Sequence, residues 1–303
     1  MITRDVAAFL RAARACAPDF GPATARAAFL VSPEGFARAE ESARDNRYMA
    51  GTGGFDAARA LDQHRTLQAA LSSVLPTVCF AGDPAAPDGL FPNNVFGTAP
   101  GRLVVGRMRH PIRQREAARQ DIRGFFRDVV GYAETDLSTQ PHACELTGAL
   151  VIDRARGLGF CGLSERCDES GARLMHEAFG LRATLMFDLA PGEYHTNVVL
   201  AVLAGRAAIA WPGGFADVGA VDAIAALYAP HLAILSQAEQ AAFAGNALSA
   251  SADTAWMSAG AAAALSAANH GVLEGAGFVV RQVALDAIEA AGGSLRCCVA
   301  EVY

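Results

Sequence analysis

Short apolar runs recur along this chain, each bounded by Gly, Pro, Asn or Asp, and Ala-, Leu- and Arg-rich segments of helical period lie between them. The runs predict strands over 28–31, 77–81, 94–97, 102–106, 149–153, 159–163, 184–187, 198–203, 207–211, 231–235, 278–282 and 297–302. The periodic segments predict helices over 3–16, 54–74, 111–130, 168–179, 216–228, 236–243, 254–270 and 284–290. Strands come as close pairs ahead of a helix, which is not the rhythm of a simple βαβαβ chain. The segments 98–101, 155–157 and 204–206 read as turns inside hairpins. The pattern predicts small mixed-sheet units of about 40 to 60 residues around a shared centre, with no linker between them and no clean sequence repeat.

Composition agrees with a packed α/β protein: 303 residues, 52% hydrophobic and 18% charged, can bury a large core. Length alone allows either two domains or one large one. No lysine occurs, so all 25 Lys+Arg residues are arginine. Schiff-base, pyridoxal-phosphate and P-loop lysine chemistry are thereby excluded. A net charge of -6 argues against nucleic-acid binding, which needs a clustered basic face. The densest basic run, Arg102 to Arg127, is interrupted by Glu116 and Asp121 and reads as a solvated helix face.

Arg4, Asp5, Arg11 and Arg14 interrupt what would have to be an uncharged signal core, so the start reads as an amphipathic helix. No stretch of about 18 uncharged apolar residues is found, so no membrane span is expected. Seven cysteines without regular spacing suggest reduced thiols in a cytoplasmic protein.

Two motif-like features carry little chemistry. The segment 157–162, GLGFCG, matches GxGxxG, but it continues as a strand instead of opening a helix, so it reads as a turn. Cys161 and Cys167 stand six apart, and no HxH, HExxH or paired CxxC occurs, so neither a metal nor an organic cofactor is expected. The absence of GxSxG counts against a hydrolase serine.

The informative cluster is Gly292-Gly293-Ser294-Leu295-Arg296-Cys297-Cys298, entering the last strand. An adjacent arginine stabilises thiolate, the nucleophilic form, so Cys297 is a candidate nucleophile; the plainer reading is a buried pair of small hydrophobes. His195 stands at a strand mouth, Glu145 opens another strand, and Asp88 lies six residues before Asn94. Singly these are a core histidine, a solvated carboxylate and a turn. Together they offer a thiol, a base and acceptors from four separated segments.

The segments PDGLFPNNVF (87–96), ELTGALVIDR (145–154), YHTNVVLAV (194–202), FAGNALS (243–249) and GGSLRCCVAEVY (292–303) occur in an order and spacing that resemble a known superfamily. It is the guanidino-group-modifying superfamily of arginine deiminases, dimethylarginine hydrolases and amidinotransferases. Asp45-Asn46-Arg47-Tyr48-Met49 resembles the N-terminal segment of its amidinotransferase-related branch called citrulline utilisation hydrolase, the branch most similar overall. The resemblance runs from about residue 28 to the end.

The resemblance implies an α/β fold, the five-bladed α/β propeller of ββαβ units (pentein fold), as a single catalytic domain over 1–303. It implies a cysteine hydrolase of arginine or citrulline C–N bonds that releases ammonia. Cys297 would attack the guanidino or ureido carbon, His195 would be acid and base, and Glu145 would hold the substrate's nitrogens. Asp88, Asn94, Asn197, Asn246 and Arg296 are the expected substrate-side residues, with Asn246 divided between binding the amino-acid end and bracing a loop. Arg107 and Arg109 are weaker candidates for a substrate carboxylate.

Three departures bear on specificity. Asn94 and Asn197 are amides where the deiminase branch carries carboxylates, and amides offer the mixed donors and acceptors that a neutral ureido group needs. This tilts the site toward citrulline-like substrates or toward a dihydrolase that takes arginine to ornithine. Leu146 stands where the superfamily commonly has Gly, and Val95 where the most similar branch usually has Trp. Rival readings are an amidinotransferase, which needs an amine acceptor, and a non-catalytic amino-acid-binding protein on the same fold. The expected partner is a small guanidino or ureido amino acid, and a homodimer is compatible with the pattern.

Overall fold

The structure, a computed structural model, describes residues 1–49 and 55–303. Its strands are β1 (Ile2–Thr3), β2 (Ala27–Val31), β3 (Thr77–Phe80), β4 (Phe96–Ala99), β5 (Arg102–Val105), β6 (Ala133–Asp136), β7 (Leu150–Asp153) and β8 (Leu158–Leu163). They continue as β9 (Ala183–Asp188), β10 (Leu200–Leu203), β11 (Ala207–Ala210), β12 (Leu232–Ile234), β13 (Leu248–Ser251), β14 (Thr254–Ser258), β15 (Val279–Val283) and β16 (Ala300–Val302).

Among the described residues these strands form five sheets, β4-β5-β6, β7-β8-β9, β10-β11-β12, β13-β14-β15 and β16-β2-β3, with β1 added at the edge beside β9. Each sheet pairs its first two strands antiparallel and its second and third parallel. The parallel step needs a crossover, which is where the helices lie. One sheet joins the last strand to the first part of the chain, Ala300 opposite Phe29. None of the sheets closes on itself.

A short helical turn precedes the first strand of four sheets: Pro92–Asn94 before β4, Leu146–Ala149 before β7, Thr196–Val199 before β10 and Leu295–Cys298 before β16. The apolar pattern extends the strands backward into all four of these turns, to 94, 149, 198 and 297. A short buried turn and a short buried strand have the same continuous apolar signature, and only packing separates them.

Two helix expectations are overturned. The Ala-rich 254–270 opens as β14, and its helices run over Ala259–Ala264 and Ala267–Gly275, each begun by a serine N-cap, Ser258 and Ser266. Alanine's helix propensity had masked a strand that pairs with β13 and β15. The segment 111–130 is broken at Arg119, whose backbone is extended, and ends in a π-helical turn, Phe125–Val130, closed by Gly131 at φ 78°. Nor is it all solvated: Arg113 and Glu116 are buried and ion-paired at 2.8 Å. The helix predicted over 54–74 is observed as Ala57–Ser72, and residue 54 lies outside the described residues.

The amphipathic start forms a helix over Val6–Arg14, capped by Asp5, with Phe9 fully buried against the ring of Phe160. No helix of the described residues is long and apolar enough to cross a membrane. All seven cysteines are free.

The GLGFCG segment is a hairpin turn followed by β8. Gly157 has φ 71°, and a Cβ there would meet the Phe20 ring at 2.6 Å. Gly157→Ala is expected to destabilise the protein by about 1–2 kcal/mol, read as a lowered urea midpoint with an unchanged slope.

Candidate active site

The last helical turn, Leu295–Cys298, turns the two adjacent thiols different ways. Cys297 lines a cavity with Ser42, Asn46, Asp88, Asn94, Arg113 and Arg166, whereas Cys298 does not. The Cys297 Sγ accepts from the Asn246 Nδ2 at 3.3 Å and lies 3.8 Å from the Asn197 Nδ2. Burial pushes this thiol above its ordinary pKa, opposed by a backbone hydrogen bond from Ser294, the Asn246 amide, the Arg296 charge and the Asn197 amide. The resting group is a thiol at neutral pH.

Glu145 caps the turn Leu146–Ala149 instead of opening a strand, and it is fully buried. One carboxylate oxygen accepts the backbone N–H of Arg109 at 2.9 Å. The other meets Arg166 Nη1 at 3.2 Å and His195 Nε2 at 2.8 Å. Burial works to raise the Glu145 pKa, but Arg166, His195 and Arg113 together hold it far below the carboxylate range. Burial lowers the His195 pKa despite Glu145, so the imidazole is neutral at pH 7 and the positive charge opposite Glu145 belongs to Arg166. The carboxylate partner assigns the imidazole proton to Nε2, leaving Nδ1 with the basic lone pair. Among the described residues, that buried Nδ1 has no hydrogen-bond partner.

The close approach around His195 depends on Gly148. A Cβ at Gly148 would fall 2.9 Å from the His195 Nδ1 and 2.7 Å from the Asn94 Oδ1. Those two atoms therefore face the same small space. Asp88 accepts from the Ser42 hydroxyl at 2.5 Å through one oxygen, and its other oxygen is buried without a partner among the described residues. Burial raises the Asp88 pKa, against the pull of Arg113.

Of the residues singled out from sequence, Cys297, Asp88 and Asn94 line one cavity, Glu145 and His195 are bonded to each other, and Asn197 and Asn246 reach the thiol. Asn246 is fully used as a brace: its Nδ2 also donates to the Asn197 carbonyl at 2.8 Å, and its Oδ1 accepts the Arg296 N–H at 2.9 Å. Arg296 does not line this cavity. Its guanidinium turns to Glu301 at 2.8 Å and to the Val299 carbonyl, because the side chains of 296 and 297 leave the turn in different directions. Arg107 bonds the Ser138 carbonyl and Arg109 an exposed Glu165, and neither lines the Cys297 cavity. Val95 is buried in an apolar cluster with Phe29 and Phe126, away from the cavity.

Sequence reasoning missed Arg166 and Arg113. Arg166 is 2% exposed and holds Asp45 at 2.5 Å as well as Glu145. The only trace of it was the Asp45-Asn46 segment, whose acid needed a partner that no spacing rule could supply.

A buried thiol, a carboxylate–imidazole pair and thiol-facing amides are brought together from separate sheets of an α/β fold, and the comparisons place the chain in the guanidino-group-modifying, pentein-fold superfamily. The sequence profile of the eukaryotic N,N-dimethylarginine dimethylhydrolases matches residues 32–303, and the chain belongs to that family. Solved structures share the fold. The N-terminal domain of ArgZ, an arginine dihydrolase from the ornithine–ammonia cycle in cyanobacteria, solved with substrate, superposes with a TM-score of 0.79 at 20% identity, over 91% of this chain and 97% of that one. AgrE in ternary complex with ornithine and NAD+ gives 0.78 at 22% identity, over 91% of this chain and 39% of that one. A dimethylarginine dimethylaminohydrolase carrying an adduct of S-methyl-L-thiocitrulline gives 0.68 at 16% identity, over 92% and 100%. Curated protein sequences gave no match.

Removing the Glu145 charge leaves Arg166 buried with one partner fewer. Glu145→Gln is expected to cost about 3–5 kcal/mol at pH 7, measured by urea unfolding. Because the folded pKa of Glu145 lies below the unfolded one, its contribution is complete above about pH 5 and is lost as pH falls through the acid range. The gap between the two proteins should therefore narrow steadily below about pH 4.

Proposed function

We propose that this protein is a cysteine-dependent hydrolase that cleaves C–N bonds of a guanidino or ureido amino acid, with Cys297 as nucleophile. The observation that carries the proposal is the cavity in which the Cys297 thiol meets Asp88, Asn94 and two buried arginines. In this reading the five sheets are the blades of one propeller over residues 1–303, and the catalytic groups sit where the blades' inner ends meet.

Such a substrate is an amino acid with a polar head. Asp88, one of whose oxygens has no partner among the described residues, supplies negative charge for the head's nitrogens beside Cys297, while Glu145 acts through His195. The Cys297 thiol gives its proton to the His195 Nδ1, and the sulfur forms a C–S bond to the central carbon. His195 protonates the departing nitrogen through Nδ1, the C–N bond breaks and ammonia leaves. His195 then takes a proton from water, whose oxygen attacks the same carbon, and the C–S bond breaks to return the thiolate. Glu145 keeps the imidazole in the tautomer that both steps require.

The raised thiol pKa gives the substrate a part in activation. A cationic guanidinium head beside Cys297 stabilises thiolate, whereas a neutral ureido head leaves activation to proton transfer from the thiol to His195. Amides at Asn94 and Asn197 favour a ureido head, so we place citrulline, or arginine carried through citrulline to ornithine, ahead of arginine deimination alone. This fits the citrulline utilisation branch. The dimethylarginine family match and the arginine dihydrolase neighbour both support hydrolysis at a guanidino carbon.

The test is incubation with arginine, citrulline, methylated arginines and agmatine, reading ammonia and amino-acid products. Ammonia release lost by about a thousandfold or more in Cys297→Ser, and kept within a few-fold in Cys298→Ser, is the expected result. Arginine stopping at citrulline would remove the ureido preference, and turnover only with added glycine or ornithine would make the protein a transferase. Alkylation of Cys297 by iodoacetamide should accelerate with pH through 9 and beyond in the free protein, since burial holds the thiol's pKa above its usual value.

A further inference from the structure

A second cavity lies behind the turn that carries Cys297, lined by residues of the first strands of several sheets, among them Ile152, Val202, Leu248 and Glu301. Its charged lining is Arg154, Arg296 and Glu301. Arg296 and Glu301 neutralise each other at 2.8 Å. Arg154 is only 7% exposed, yet among the described residues it has no carboxylate partner. Its Nη1 donates to the Thr98 carbonyl at 2.8 Å, Tyr303 adds a side-chain interaction that favours its charge, and its guanidinium stacks 4.2 Å from the Tyr303 ring and 5.3 Å from the Phe179 ring.

Arg154 is thus a buried guanidinium in this lining without a carboxylate partner among the described residues. Burying an arginine without a counter-charge is costly, and an aromatic face offsets only part of it. Burial lowers the Arg154 pKa, as expected for a cation short of partners.

We infer that this cavity is a binding site for one small monovalent anion of halide size, held by Arg154. The space is about 30 Å³, room for roughly two water molecules or one ion of that size. Glu301 stands in the same wall and repels a dianion. The site would communicate with the thiol, since Asn197 lines it and reaches the Cys297 Sγ, and Arg296 precedes Cys297 in the chain. The inference is independent of the proposed reaction.

The experiment is thermal unfolding of the whole protein in chloride-free sodium gluconate, titrated with sodium bromide at constant ionic strength. A saturable rise in Tm of a few degrees is expected, absent with sulfate and absent in Arg154→Met. Crystals grown in bromide should show an anomalous peak within hydrogen-bonding distance of the Arg154 guanidinium. An equal response to sulfate, or an anomalous map without a peak in this cavity, would overturn the site. Should Arg154→Met not fold, the bromide map of the unaltered protein decides alone.

Discussion

One buried carboxylate organises this molecule. Glu145 is fully enclosed, and in that setting an unpaired charge would be untenable. It is answered from three directions: the Arg109 N–H from the segment after β5, Arg166 from the loop after β8, and His195 from the entry to β10. Arg166 then passes the tie on to Asp45, which also holds His110 at 2.9 Å. Segments distant in sequence are locked together because none of these charges can be buried alone.

The same arrangement sets the protonation states. Arg166 takes the role of counter-ion, so His195 stays neutral and keeps a free basic nitrogen. Had the imidazole been the counter-ion, it would be protonated and could take up no proton. The thiol is likewise poised by what surrounds it: burial favours the neutral form, and two amides and a nearby guanidinium pull the other way.

Geometry at this centre has its own cost. Leu146, next to Glu145, has φ 26°, a region that a leucine enters only under constraint. Its side chain fills space beside Gly106, where a Cβ would lie 2.6 Å from the Leu146 Cγ. A glycine at 146 would relieve the backbone and leave a hole, so the departure from the superfamily pattern is matched by packing. Gly148, two residues on, shows the reverse need, since any side chain there would strike His195 and Asn94.

Much of this was legible in the chain. Alternating turns and apolar runs located paired strands ahead of helices, and five ordered motifs singled out Cys297, His195, Glu145, Asp88 and Asn94, because local patterning and the residue types that chemistry requires are both written in linear order. Strand starts were blurred where a helical turn is as apolar as a strand, and the Ala-rich 254–270 was misread because helix propensity is a local preference that sheet pairing overrides. The direction of Arg296, the bracing use of Asn246, and the burial of Arg113 and Arg166 were decided only in three dimensions. A charged side chain's role depends on which opposite charge it meets after folding, and those partners lie far along the chain, 121 residues in the case of Asp45 and Arg166.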